Sequence, residues 1–138
     1  MSATLDLLAS VPLFRNLPRK TLQRLERIAV TRTYKAGEDI VKEGDQGAGF
    51  FLITSGKVEV LKGGSRLNTL GAGEFFGEMA LLDNQPRVAT VRALEDTACL
   101  AMSRWDFVAE LRANPDIAIE MLEAVSARLR QLEERITA

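Results

Sequence analysis

The sequence predicts one mainly β domain with flanking α-helices, and three observations support this prediction. All ten glycines of the 138-residue chain lie between Gly37 and Gly77, and many recur at intervals near seven residues. Such spacing is typical of turns between short strands. The two ends of the chain contain no glycine and change to a helical period. About eight short strands joined by glycine turns favour a β-sandwich or a barrel.

The N-terminal part, residues 1–29, is predicted to be helical. Leu22, Leu25, Ile28 and Ala29 share one helical face. They follow Pro18, which can occupy the first turn of a helix.

Residues 30–102 carry the strand pattern, with short apolar or alternating runs between the turns. The single cysteine, Cys99, lies in the last of these runs, and we expect its thiol to pack in the core. The runs are 39–42, 50–53, 57–62, 66–70, 88–93 and 97–102.

Residues 103–136 are predicted to form two C-terminal helices. Ser103, with Asp106 three residues later, resembles a capping box that opens a short helix. Asn114 followed by Pro115 marks a second start, before a long helix that runs toward Arg135.

Composition excludes several classes of function. The chain contains no histidine, which excludes Ser-His-Asp and Cys-His nucleophile arrangements and histidine-ligated metal sites. Eighteen basic against nineteen acidic residues give no excess charge for binding nucleic-acid phosphates directly. No stretch approaches eighteen apolar residues, so we expect no membrane insertion. We expect a cytoplasmic protein that is not an enzyme and needs no metal or cofactor.

The segment 73–91 is the densest in chemical signals. Good helix formers, Glu78 to Leu82, follow Gly77, and the first N–H groups of such a turn can point at an anion. Arg87 shares one strand face with small apolar residues, so its guanidinium should enter an interior that requires an anionic partner.

Two partners for Arg87 are compatible with this spacing. A phosphate diester suits a planar, permanently charged donor, and Glu78 would then accept a hydrogen bond from a sugar hydroxyl. The alternative is that Arg87 and Glu78 form an ion pair with each other.

Two stretches of this segment resemble the phosphate-binding cassette of cyclic-nucleotide-binding domains, the regulatory domains of catabolite-activator-like proteins, protein kinases and ion channels. They are Phe76-Gly77-Glu78-Met79-Ala80-Leu81 and Pro86-Arg87-Val88-Ala89-Thr90-Val91. Upstream, the residues 34–40, 43–45 and 50–58 match the same family, and the resemblance covers roughly residues 5–135. The sequence departs from the family at Ala48, where an acidic residue is usual, and at Phe51, where tyrosine is common.

The resemblance implies an eight-stranded antiparallel β-roll, similar to a jelly roll, that binds cAMP or possibly cGMP. In this family Glu78 would bind the ribose 2′-hydroxyl, Arg87 the cyclic phosphate, and the amides of Ala80 and Ala89 would complete a cassette over 75–91. Gly77, Met79 and Val88 belong to the same implied site. Threonine often follows the cassette arginine in cGMP-selective relatives, so Val88 favours cAMP.

The resemblance also implies a role for the last helix. Related stand-alone modules carry an arginine at the register of Arg128, where it would close over the base as a lid residue. The expected function is therefore a sensor whose C-terminal helix moves when ligand binds. We expect either a stand-alone module or the regulatory piece of a larger protein, with no room for a helix-turn-helix.

A second function remains open for the last helix. Six apolar residues recur at gaps of four and three, a spacing that suits either a dimer seam or burial in the core. A seam would make the domain a ligand-independent dimerisation or adaptor module, through a homodimer or a parent or effector protein. The six are Ala118, Leu122, Val125, Leu129, Leu132 and Ile136.

Overall fold

The computed structural model describes residues 3–46, 49–83 and 85–137, which form five helices and eight strands. The order is α1 (Ala3–Ser10), α2 (Arg19–Ile28), β1 (Val30–Tyr34), β2 (Asp39–Val41), β3 (Gly49–Ser55), β4 (Lys57–Lys62), β5 (Ser65–Gly71), β6 (Phe75–Phe76), α3 (Ala80–Asp83), β7 (Thr90–Ala93), β8 (Thr97–Ser103), α4 (Arg104–Ala113) and α5 (Pro115–Thr137). The predicted mainly β fold with flanking helices is confirmed.

The described residues group into two compact units. The roll unit contains residues 28–107, and the helical unit contains the described residues before 28 and after 107. That residues 1–138 make one domain stays a prediction.

The roll unit consists of two four-stranded antiparallel sheets, in the orders β1-β8-β3-β6 and β2-β7-β4-β5. Successive side chains of a strand point to opposite faces of its sheet, and four side chains from strands β3, β4, β7 and β8 form a buried cluster: Ile53, Val58, Val91 and Cys99. Burial raises the pKa of the Cys99 thiol to about 11. The predicted core thiol is confirmed.

The strand after the cassette arginine is shorter than the sequence predicts. Strand β7 begins at Thr90 rather than Val88, and residues 85–89 are irregular. The reason is a local pairing, because the Arg87 N–H donates to the Asp45 carbonyl at 2.9 Å and the Arg87 carbonyl accepts from the Gly44 N–H at 2.8 Å. The turn at 44–45 therefore fixes the backbone of Arg87.

Several apolar side chains of the helical unit are buried. Leu8, Val11, Phe14 and Leu25 have no exposed surface, and Ile117 of α5 is also buried. Successive turns connect α1 to α2: the N–H of Val11 donates to Leu8, and the N–H of Phe14 donates to Val11. The predicted N-terminal helical segment is thus two helices joined by turns.

Both predicted C-terminal helix starts are confirmed. The Asp106 N–H donates to the Ser103 hydroxyl at 3.1 Å, which caps α4. Helix α5 begins at Pro115, and the Ile117 N–H donates to the Asn114 carbonyl at 3.0 Å.

The apolar seam on α5 is largely exposed. Leu122, Leu129, Leu132 and Ile136 expose between 46% and 82% of their surface. The expectation that these four residues are buried in the core is therefore wrong, because the buried face of α5 is instead formed by Ile117, Met121 and Ala124. Within the described part of the chain, no helix combines the length and apolarity needed to cross a bilayer.

Candidate functional site

Two cavities of the roll unit meet at Arg87. The smaller, of about 330 Å³, is lined by seven of the eight residues that the sequence assigned to the site: Gly77, Glu78, Met79, Ala80, Arg87, Val88 and Ala89. The larger, of about 740 Å³, shares only Arg87 with that set. Both volumes lie within the usual range of about 300–1,000 Å³ for ligand sites. The smaller cavity is the candidate site because it gathers seven of the predicted residues, among them both Glu78 and Arg87.

Pairing between β6 and β3 positions the first half of the cassette. Phe76 lies opposite Phe51, and Phe75 lies opposite Leu52. Gly77 follows directly with a φ of +82°, a conformation that residues other than glycine rarely adopt. The chain therefore turns sharply out of the sheet and enters α3.

The turn that opens α3 satisfies part of its own backbone. The Ala80 N–H donates to the Gly77 carbonyl at 3.1 Å, and the Leu81 N–H donates to the Glu78 carbonyl at 3.2 Å. The expectation that the first amides lack a partner is wrong for these two, because tight turns of three-residue spacing precede the helix.

The side chain of Arg87 is half-buried and held by neighbours from β3. Its Nη2 donates to the carbonyl oxygen of Gly49 at 2.5 Å. Its Cζ lies 5.9 Å from the ring centroid of Phe51. Its Nε is buried without a hydrogen-bond partner among the described residues. The guanidinium is thus oriented, but its hydrogen-bonding capacity is not used up.

No carboxylate neutralises this cation within the described ranges. The ion pairs recorded there are Arg24–Glu110, Arg66–Glu59 and Arg92–Asp39. The hypothesis that Arg87 pairs with Glu78 is therefore wrong for this structure. Burial lowers the pKa of Arg87, which means that desolvation disfavours its charged form. An anion bound beside it would offset that penalty.

Gly77 fits closely against this arginine. A Cβ placed on Gly77 would lie 2.5 Å from Nη1 of Arg87 and 2.6 Å from the carbonyl oxygen of Gly49. Both distances are far below van der Waals contact, so the space between the two chain segments accepts only glycine.

The remaining site residues differ in how far they are exposed. Glu78 is half-buried and Ala80 is buried. Met79 exposes 52% of its surface and Val88 exposes 74%. Within 3–46, 49–83 and 85–137, no group of three or more acidic or cysteine side chains lies close enough together to hold a metal ion.

Arg128 is the eighth predicted site residue, and it lies in the helical unit. It is exposed on α5. Its role over the base stays a prediction.

Sequence reasoning missed two neighbours of Arg87. The Gly49 carbonyl is a backbone group, so no side-chain motif marks it. In the sequence Phe51 is only a departure from the family pattern, and its contact with the Arg87 guanidinium depends on tertiary packing of β3. Ala48, the other departure, lies outside the described residues.

A helix-flanked roll of two antiparallel sheets, with a cassette arginine at a small cavity, has the architecture of a ligand-binding regulatory domain. The family model described as "Cyclic nucleotide-binding domain" matches residues 31–114, which is more than half of the chain. The chain belongs to the cyclic nucleotide-binding domain family.

Individual relatives agree with this assignment. The cyclic AMP receptor protein of Thermus thermophilus is 37% identical over 127 residues, covering 88% of this chain and 59% of the relative. A solved N-terminal domain of a transcriptional regulator from Streptomyces coelicolor A3(2) is similar with a TM-score of 0.85, 31% identity and 95% coverage of both chains. The regulatory domain of Toxoplasma gondii PKA, solved with cAMP, is similar with a TM-score of 0.70 and 29% identity, covering 77% of this chain and 42% of that chain.

The chain spans less than two thirds of the length of the curated relatives that it matches, from 59% down to 10%. What it shares with them is a cyclic nucleotide-binding regulatory domain.

Proposed function

We propose that this chain is a non-catalytic sensor domain that binds cAMP in the 330 Å³ cavity and responds through its C-terminal helix. The observation that carries the proposal is the half-buried guanidinium of Arg87, which lines this cavity with no carboxylate partner among the described residues. A cyclic phosphate supplies the missing negative charge and two oxygens for the guanidinium fork.

In this proposal Arg87 binds the cyclic phosphate and Glu78 accepts a hydrogen bond from the ribose 2′-hydroxyl. Both residues line the cavity together with the apolar side chains of Met79 and Val88. The Ala80 N–H already donates to Gly77, so it takes part only as a shared donor. The amide of Ala89, which lines the same cavity, is a further donor in this proposal.

Isothermal titration calorimetry of the purified chain with cAMP, cGMP and a cyclic dinucleotide tests the ligand class. We expect saturable binding of cAMP and weaker binding of the other two. Absence of binding to all three would overturn the sensor proposal and favour the ligand-independent adaptor.

The base preference provides a sharper test at Val88. Guanine carries an exocyclic amine, and Val88 has no side-chain acceptor for it, so cGMP should bind more weakly than cAMP. An unmatched buried polar group costs about 1–3 kcal/mol. Because Val88 is largely exposed, the hydroxyl added by Val88→Thr costs little, so this variant should improve cGMP affinity and leave cAMP affinity within about twofold. Tighter cGMP binding by the wild-type chain would contradict the proposal.

Glu78 provides a test of the ribose contact. Removing a hydrogen bond to a charged group costs about 1.5–3 kcal/mol, so Glu78→Ala should weaken cAMP about tenfold or more, and Glu78→Gln should weaken it less. The wild-type chain should bind 2′-deoxy-cAMP about as weakly as Glu78→Ala binds cAMP. Glu78→Ala itself should bind cAMP and 2′-deoxy-cAMP equally well, because the carboxylate that would accept the hydrogen bond from the 2′-hydroxyl has been removed.

A control for Glu78 is Glu74→Gln. The Glu74 carboxylate accepts a hydrogen bond from the Gly71 N–H at 2.9 Å and does not line the cavity. Equal losses in the two glutamine variants would argue against a specific 2′-hydroxyl contact.

The proposed movement of the last helix is tested at Arg128. A guanidinium that stacks on the purine contributes about 0.5–2 kcal/mol, so Arg128→Ala should weaken cAMP severalfold and leave the sedimentation coefficient of the ligand-free chain unchanged. Nucleotide should also protect the amides from Met121 to Leu132 against hydrogen exchange, because a helix fixed over the base opens less often.

The exposed seam on α5 defines the competing result. If Leu122, Leu129 and Leu132 pair with a second copy, Arg128 lies at a register position facing Glu133 of that copy, where an exposed ion pair contributes little. If Arg128→Ala loses a dimer but keeps its cAMP affinity, that result would support dimerisation through the α5 seam and reject Arg128 as a lid residue over the base.

A further inference from the structure

The half-buried guanidinium of Arg87 is held by few contacts, and the question is which of them fix its orientation. Its one recorded side-chain hydrogen bond runs from Nη2 to the Gly49 carbonyl, and its buried Nε has no partner among the described residues. A single hydrogen bond at one end of a guanidinium fixes that end but allows the plane to rotate about it. A second contact is required to hold the free donors toward the cavity.

We propose that Phe51 is a positioning residue that holds Arg87 for the ligand through a cation–π contact; this inference rests on the proposed function. The guanidinium carbon lies 5.9 Å from the Phe51 ring centroid, within the range of about 6 Å over which the ring quadrupole attracts a cation. The attraction strengthens where water is removed, as it is around this half-buried side chain.

The ring of Phe51 is itself fixed. It stacks on the ring of Phe76 with centroids 5.1 Å apart and an angle of 15° between the planes. The two residues lie opposite each other in the β3–β6 pairing. The Phe51 ring cannot rotate without disrupting this stacking. The β3–β6 pairing therefore fixes the ring that the Arg87 guanidinium contacts.

Phe51 is placed to act on the ligand through its neighbours and not by direct contact. It lines the larger cavity of about 740 Å³ and does not line the cassette cavity. Arg87 lines both cavities. Phe76, on which Phe51 stacks, also lines the cassette cavity, so the affinity measurement is paired with one that reports on Arg87 itself.

A fluorination series tests this directly. Replacing Phe51 with mono-, di- and trifluorinated phenylalanine withdraws electron density from the ring face and barely changes its shape. We expect the Kd for cAMP to rise stepwise along the series, reaching about three- to tenfold, with Phe51→Tyr within about twofold of wild type. The same series at Phe50, whose ring packs on Phe75 with centroids 6.1 Å apart, should leave the Kd unchanged.

A second measurement needs no ligand. In NMR spectra of the free chain, Phe51→Leu should shift the Arg87 Nε–Hε resonance, because the ring current is lost, and Phe50→Leu should leave it in place. A flat fluorination series in a chain that binds cAMP, or an unmoved resonance, overturns the positioning role. If the wild-type chain binds no cyclic nucleotide, the proposed function fails and the positioning role for a ligand fails with it, whereas the resonance still shows whether the Phe51 ring lies against Arg87.

Discussion

Replacing Arg87 with alanine should weaken cAMP binding by about 2–4 kcal/mol, the cost of removing a buried charged hydrogen-bonding partner. This corresponds to a loss of about 30- to 1,000-fold in affinity. The structural reason is that no other cation is recorded in the wall of the 330 Å³ cavity among the described residues. Arg87→Lys should also bind poorly, because an ammonium cannot span two phosphate oxygens in one plane.

The fold should tolerate this change. Alanine removes a half-buried charge whose pKa burial has already lowered, so relief from desolvation offsets loss of the hydrogen bond to Gly49. Melting curves without ligand should therefore resemble wild type, whereas the upward shift of the melting temperature by cAMP should vanish.

A matched control for Arg87 is Arg92→Ala. Arg92 is also an arginine of the roll unit, but its Nε donates to the Asp39 carboxylate at 2.7 Å and it does not line the cavity. It should keep wild-type affinity. Unchanged calorimetric affinity in Arg87→Ala, with a normal melting curve, would refute the phosphate assignment.

Gly77→Ala should damage both stability and binding. A left-handed backbone conformation costs alanine about 1 kcal/mol, and the new Cβ would overlap the Gly49 carbonyl oxygen and Nη1 of Arg87. Overpacking of this kind typically adds about 1–3 kcal/mol. We expect the free energy of unfolding to fall by about 2–4 kcal/mol, and cAMP affinity to fall at least tenfold because Arg87 is displaced.

Gly64→Ala separates the two contributions. Gly64 has nearly the same φ, +81°, but a Cβ there would meet nothing within 4 Å. The free energy of unfolding of Gly64→Ala should fall by only the conformational contribution, about 1 kcal/mol as measured by chemical denaturation. This variant should retain full nucleotide affinity. If the two alanine variants had equal effects on both measurements, Gly77 would not be tightly packed against Arg87 and the Gly49 carbonyl.

Much of the fold could be predicted from local chemistry. Glycine spacing marked the turns, and Gly77 at a φ of +82° shows why that residue type was needed. Ser103 caps α4, and Pro115 begins α5, as their sequence patterns predict. Such features depend on only a few neighbouring residues, so they can be predicted from the sequence alone.

Other features depend on which segments meet, and the sequence does not state them. The start of β7 moved to Thr90 because the Arg87 backbone pairs with the turn at Gly44 and Asp45. The amide of Ala80 is already satisfied by a tight turn. Which face of α5 is exposed depends on tertiary packing, which buries Ile117, Met121 and Ala124 instead of the seam.

The sequence by itself determined the class of the domain and the seven residues that gather around one cavity. It could do so because turn chemistry, strand alternation and the cassette motif are local patterns. Only the tertiary structure decided what surrounds Arg87: the Gly49 carbonyl, the Phe51 ring and no carboxylate among the described residues. Opposite charges nine positions apart could have paired. They do not, because sheet pairing brings β3, rather than Glu78, against the guanidinium.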